Sequence, residues 1–115
     1  MARVPLRESA VITLNSSGAG TAKVGPLSPR EVWYPSIAQI AVNGPLVSEA
    51  ICTVYTGRDA TLPNRRDATT FGSSGDKTGR IGGYVIRTGE YVWAVWTNGD
   101  AGVQASLTVI GMKDV

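Results

Sequence analysis

Apolar and polar positions along this 115-residue chain alternate with a period near two, and no stretch shows a convincing 3.6-residue apolar period. Residues 10–14 and 21–25 predict two strands, with 15–20 as the turn that makes them a hairpin. Pro26 and Pro29 end that pairing, because proline has no backbone donor. Residues 31–42 predict one bent strand or a strand pair, with Pro35 marking a kink or bulge and Trp33 and Tyr34 on opposite faces. Asn43-Gly44-Pro45 is a turn signal. Residues 49–56 predict the next strand, with Ala50, Cys52 and Val54 sharing one face and Ile51, Thr53 and Tyr55 the other.

Residues 57–83 are polar and Gly-rich without a sustained period, and predict a long folded-back loop with one short strand near 68–71. Residues 84–87 predict a strand with a tight turn after it. The 90–97 strand follows, closing through 98–102 into a hairpin with 103–110, where Val103, Ala105, Leu107 and Val109 point inward. Residues 1–8, with Pro5, Arg3 and Arg7, read as an extended N-terminal arm ahead of a single domain at 9–115. Seven or eight short strands with turns between them predict an all-β, antiparallel, jelly-roll-like sandwich.

The 91–97 strand departs from the usual pattern. Tyr91, Trp93 and Val95 share one face, and Val92, Ala94 and Trp96 share the other. A sheet with one wet face alternates apolar with polar. This strand therefore lies between two apolar layers or shows an aromatic to a partner.

Composition narrows the chemistry. With no histidine, the commonest general base and metal ligand is missing, and with it every Ser-His and Cys-His nucleophile pair. The lone Cys52 can form neither an intrachain disulfide nor a single-chain structural zinc site, and its apolar neighbours predict a core position. No phosphate-binding loop or dinucleotide fingerprint occurs, so no cofactor is expected. Asp59, Asp67, Asp76 and Asp100 are candidates for a glycosidase-like pair or a calcium site, yet each suits a turn, and the spacing of a calcium loop is missing. The net charge is +2, with scattered arginines, so neither nucleic acid nor a membrane surface is an expected partner. Residues 1–8 lack the apolar run of a secretory signal.

Several segments together resemble a known group. They are Ile12-Thr13-Leu14 with Ser17-Gly18-Ala19-Gly20-Thr21-Ala22, Val24-Gly25-Pro26 with Val32-Trp33, and Cys52-Thr53-Val54-Tyr55-Thr56-Gly57. To these add Thr70, Gly72 and Asp76, Thr88-Gly89-Glu90, Val95-Trp96-Thr97-Asn98-Gly99-Asp100-Ala101-Gly102 and Leu107-Thr108-Val109-Ile110-Gly111. Over most of its length the chain resembles the short minor structural proteins of actinobacterial tailed phages. The tryptophan before a Gly-Asp-x-Gly turn is the most distinctive element. The resemblance implies a small all-β virion component present in several copies, made in the host cytoplasm and released by lysis. It brings no catalytic residues.

The expected function is thus a non-enzymatic bacteriophage structural subunit that cements capsid or tail components as a decoration, minor capsid or minor tail protein. Its partners would be other virion proteins and further copies of itself. Trp93 or Trp96 is the expected central anchor, with Trp33 a further aromatic candidate, Arg65 and Arg66 a polar rim, and Arg3 to Arg7 an arm laid on a neighbour. The alternative is a carbohydrate- or receptor-binding sandwich at a tail or fibre tip, its aromatics stacking on a host-surface glycan.

Overall fold

The computed structural model describes the backbone of residues 3–43, 47–71 and 75–115 and, within these, the side chains outside 70–80. Eight strands form among them: β1 (Arg3–Thr13), β2 (Gly20–Val24), β3 (Val32–Val42), β4 (Ala50–Gly57), β5 (Arg65–Phe71), β6 (Gly75–Arg80), β7 (Tyr91–Thr97) and β8 (Gln104–Asp114). One sheet runs β1-β8-β3-β6 and the other β2-β7-β4-β5, with antiparallel neighbours throughout. Strands 1 and 8, 2 and 7, 3 and 6, and 4 and 5 pair as if one long ribbon had been folded double and then rolled. That order defines a jelly roll.

Rolling separates strands that are neighbours in sequence. Of the two expected hairpins, neither forms: β1 and β2 lie in different sheets, and so do β7 and β8. Both turns cross from one layer to the other and meet at one end of the sandwich. Gly18 there has φ 71°, and a Cβ on it would stand 1.8 Å from the carbonyl oxygen of Gly99. Gly99 N–H donates to Gly18 O at 2.9 Å, joining the two crossovers. Among the described residues, only β4 and β5 are consecutive strands of one sheet.

The 1–8 arm is a second correction. Residues 3–8 are the first half of β1 and pair in register with β8, from Arg3 opposite Asp114 to Glu8 opposite Val109. Met1 and Ala2 lie outside the described residues. Pro5 is accommodated because β1 is an edge strand, where a missing donor costs no central ladder bond. Leu6 is buried in the core. Arg3 Nε donates to Asp114 Oδ1 at 2.9 Å, and Tyr34 Oη donates to Asp114 Oδ2 at 3.0 Å, with the Arg3 guanidinium 4.1 Å over the Tyr34 ring.

The 57–83 region holds the expected short strand near 68–71 as the second half of β5 and more order besides: β4 turns through 58–64 into β5, and β6 follows. Residues 84–87 form no strand. Ile86 makes an isolated bridge instead, donating to Trp33 O at 3.0 Å and accepting from Trp33 N–H at 2.9 Å. Ile81 and Ile86 are buried in the core cluster, and both segments are tied by backbone hydrogen bonds to the first half of β3. The bulge at Pro35 is where the sequence places it, between Pro35 and Ile37, and it turns Ser36 O to accept from Ile81 N–H at 3.2 Å. Of the expected turn at Asn43-Gly44-Pro45, Gly44 and Pro45 lie outside the described residues.

Strand phase decides the core. Ala50, Cys52 and Val54 of β4, Val92, Ala94 and Trp96 of β7, and Ala105, Leu107 and Val109 of β8 all face inward and are buried. The large indole of Trp96 sits in register between Gly20 and Cys52, two small neighbours that leave it room. The one buried polar side chain among the described residues, Thr56, accepts from Arg66 Nε at 2.7 Å.

Candidate docking surface

The outer faces of the two sheets differ in kind. On β1 and β8 the outward residues include Arg7, Ser9, Thr13, Gln104, Ser106 and Thr108 together with the exposed Val11 and Met112, and the Ser9 and Thr108 hydroxyls lie 2.8 Å apart. On the other sheet, β7 directs Tyr91, Trp93 and Val95 outward, and β4 directs Ile51, Thr53 and Tyr55. Register lines Lys23, Trp93, Tyr55 and Arg65 into one row across all four strands.

The row has a defined geometry. Tyr91 and Trp93 pack edge to face, their centroids 5.4 Å apart and their planes at 71°. Lys23 Nζ lies 4.4 Å from the Tyr91 centroid and 5.0 Å from that of Trp93, a double cation–π contact. Trp93 Nε1 donates to Gly57 O at 3.0 Å, so the indole's polar atom is satisfied and its ring remains for contact. The two charges in the row itself, Lys23 and Arg65, are both positive.

At the β1–β2 side of the sandwich, this face runs into a cleft of about 360 Å³ lined by Glu8, Lys23, Val24, Leu27, Trp33 and Tyr91. A smaller recess continues it to Glu31 and Lys113. Trp33 Nε1 donates to Glu31 Oε1 at 2.8 Å, and Lys113 Nζ stands 3.4 Å from the same oxygen. The indole hydrogen bond is the main cause that holds the Glu31 carboxyl below its ordinary pKa, with Lys113 adding to it.

These positions sort the expected contact residues. Trp96 is 0% exposed and Trp33 2%, so both are core residues, and of the two proposed anchors only Trp93 faces outward. Arg65 and Arg66 are not a loop tip but the start of β5. Arg65 is exposed in the aromatic row. Arg66 turns the other way, with its guanidinium on Thr56 Oγ1 and 3.9 Å over the Tyr84 ring, so it forms no rim. Arg3 is tied to Asp114 of its own chain, and Arg7 is exposed on the opposite sheet. The structure therefore joins Trp93 to Arg65 and separates the rest. Tyr55, Tyr91 and Lys23 complete the row. Strand phase grouped Tyr91 with Trp93 and Tyr55 with Ile51, but only the cross-strand register assembles the row and adds Lys23.

The carboxylates weighed for catalysis have local duties. Asp59 accepts from Thr61 Oγ1 at 2.6 Å and Asn64 Nδ2 at 2.9 Å, and Asp67 accepts from Ala68 N–H at 2.9 Å. Asp100 accepts from Val47 N–H at 2.9 Å and Ser48 N–H at 3.2 Å, which lowers its pKa. The Asp76 side chain lies outside the described residues. No group of three or more His, Cys, Asp or Glu side chains is arranged to hold a metal among the described residues. Cys52 is fully buried, and desolvation pushes its thiol up to about 12. The sequence matches no family model and no curated protein.

Proposed function

We propose that this chain is a virion structural subunit of an actinobacterial tailed phage, a non-enzymatic jelly roll that binds and cements capsid or tail components through the outer face of the β2-β7-β4-β5 sheet. The observation that carries the reading is the asymmetry of the sandwich. One outer face mixes polar side chains with Val11 and Met112, and the other presents a contiguous aromatic row, Tyr91, Trp93 and Tyr55 between Lys23 and Arg65. Aromatic residues and arginine are enriched where proteins meet. The jelly roll serves capsid proteins and lectins alike, so the choice between them rests on the surface.

The sugar-stacking alternative fits the ring geometry less well. Stacking needs a flat, open aromatic face. Here the two leading rings stand at 71° and share one ammonium over their faces.

Four strands about 4.8 Å apart and about seven residues long make a face of roughly 400 Å². A standard contact takes about 800 Å² per partner. Attachment through so small a face gains durability when several copies bind together, and so a homo-oligomer belongs to the proposal.

The test is quantitative mass spectrometry of purified particles of the phage that encodes the chain. A fixed copy number per particle is the expected result. Absence from particles, with saturable glycan binding that quenches Trp93, would replace the proposal by the alternative.

A further inference from the structure

The cleft between the β1 and β2 edges holds one charge that the fold does not use. Glu8 lies on β1 between Leu6 and Ala10, at a phase directed toward the sandwich interior, yet it is exposed because the cleft opens there. Among the described residues its carboxylate has no ion-pair or hydrogen-bond partner. The other charged groups of the cleft are committed. Glu31 accepts from Trp33 Nε1 and pairs with Lys113. Lys23 lies over the outer faces of Tyr91 and Trp93. The apolar lining is Tyr91, Val24 and Leu27, the last 96% exposed, over the edge of the buried Trp33.

We propose that this cleft receives an arginine side chain from a neighbouring polypeptide, its guanidinium lying against Tyr91 and forking onto the Glu8 carboxylate. The chemistry selects arginine. A planar guanidinium stacks on rings and pairs with a carboxylate at the same time, whereas a lysine ammonium is a compact, strongly hydrated point charge. An inward-phase charge on an edge strand also discourages edge-to-edge pairing, and the cleft gives the same carboxylate a second use. The proposal does not depend on the virion reading, because it concerns the cleft and not the aromatic row beyond it.

The test is a titration of the isotope-labelled full chain with N-acetyl-arginine methylamide, followed by the indole N–H resonance of Trp33 and the backbone amides of Glu8 and Leu27. Saturable shifts confined to the cleft are expected, with a dissociation constant in the millimolar range suited to a single side chain. Glu8→Gln, which keeps the size of the side chain, is expected to weaken binding about tenfold. The matching lysine derivative should bind several-fold more weakly, and the leucine derivative not measurably. Lys23→Gln should tighten arginine binding by removing a nearby like charge. No saturable shift, equal binding to Glu8→Gln, or equal binding of the lysine or leucine derivative would overturn the proposal. An unchanged dispersed amide spectrum of Glu8→Gln shows that the variant remains folded.

Discussion

Trp93 and Trp96 stand three residues apart on β7 and face opposite sides of the sheet. Trp96 is sealed in the core between Gly20 and Cys52, while Trp93 lies outside, in register with Lys23 and Tyr55. The two indoles should separate stability from binding. Trp96→Ala empties a packed site and is expected to cost about 3–5 kcal/mol. Trp93→Ala loses a cross-strand pair and one hydrogen bond, and is expected to cost less than about 2 kcal/mol. Urea unfolding of the two variants checks the order.

The amino-terminal half of β1 is structural. Leu6→Ala is expected to cost about 2–5 kcal/mol by the loss of a buried side chain. Deleting residues 1–8 should lower the urea midpoint further, because it also strips a strand from β8 and breaks the Arg3–Asp114 pair. An arm reserved for a neighbouring subunit would leave the midpoint unchanged.

The same pair gives this edge a pH dependence. The hydrogen bond from Arg3, joined by that from Tyr34, lowers the Asp114 pKa from its ordinary 3.8. A carboxyl depressed in the folded state stabilises above its unfolded pKa, and the benefit fades as pH falls through the folded one. Amide exchange of residues 3–7 relative to the core strands should therefore accelerate below about pH 4. Asp114→Asn should show the faster exchange already at neutral pH and lose the acid step.

Cys52 reports on global unfolding. Its thiol is buried and pushed up to about 12, so the reactive thiolate is scarce in the folded state. Labelling by iodoacetamide should follow the urea unfolding curve measured by tryptophan fluorescence. Fast labelling without denaturant would show that β4 opens locally.

Much of the sandwich was legible in the chain because its central strands obey a period of two. β4, β7 and β8 alternate cleanly, and Pro35 marks the bulge. Three features were not legible, each for a physical reason. β5 and β6 are polar strands lying at sheet edges, where alternation weakens, so of 57–83 only a short strand near 68–71, the second half of β5, was expected. Residues 3–8 look unpaired because Pro5 and the arginines hide a strand whose main anchors are Leu6 and the distant Asp114. The 14–19 and 98–103 turns resemble hairpins because local sequence does not reveal whether a turn stays in one sheet or crosses to the next. The candidate surface followed the same division: phase put Trp93 with Tyr91 and Tyr55 with Ile51 on common faces without telling which face looks outward, and register alone brought Lys23 and Arg65 beside them.

The most direct measurement is the copy number of the subunit in purified phage particles after Trp93→Ala with Arg65→Glu. The expected result is a folded protein, with a urea midpoint near that of the parent, that is largely missing from the particles. Incorporation equal to the parent's would contradict the assignment of the aromatic face as the surface that docks.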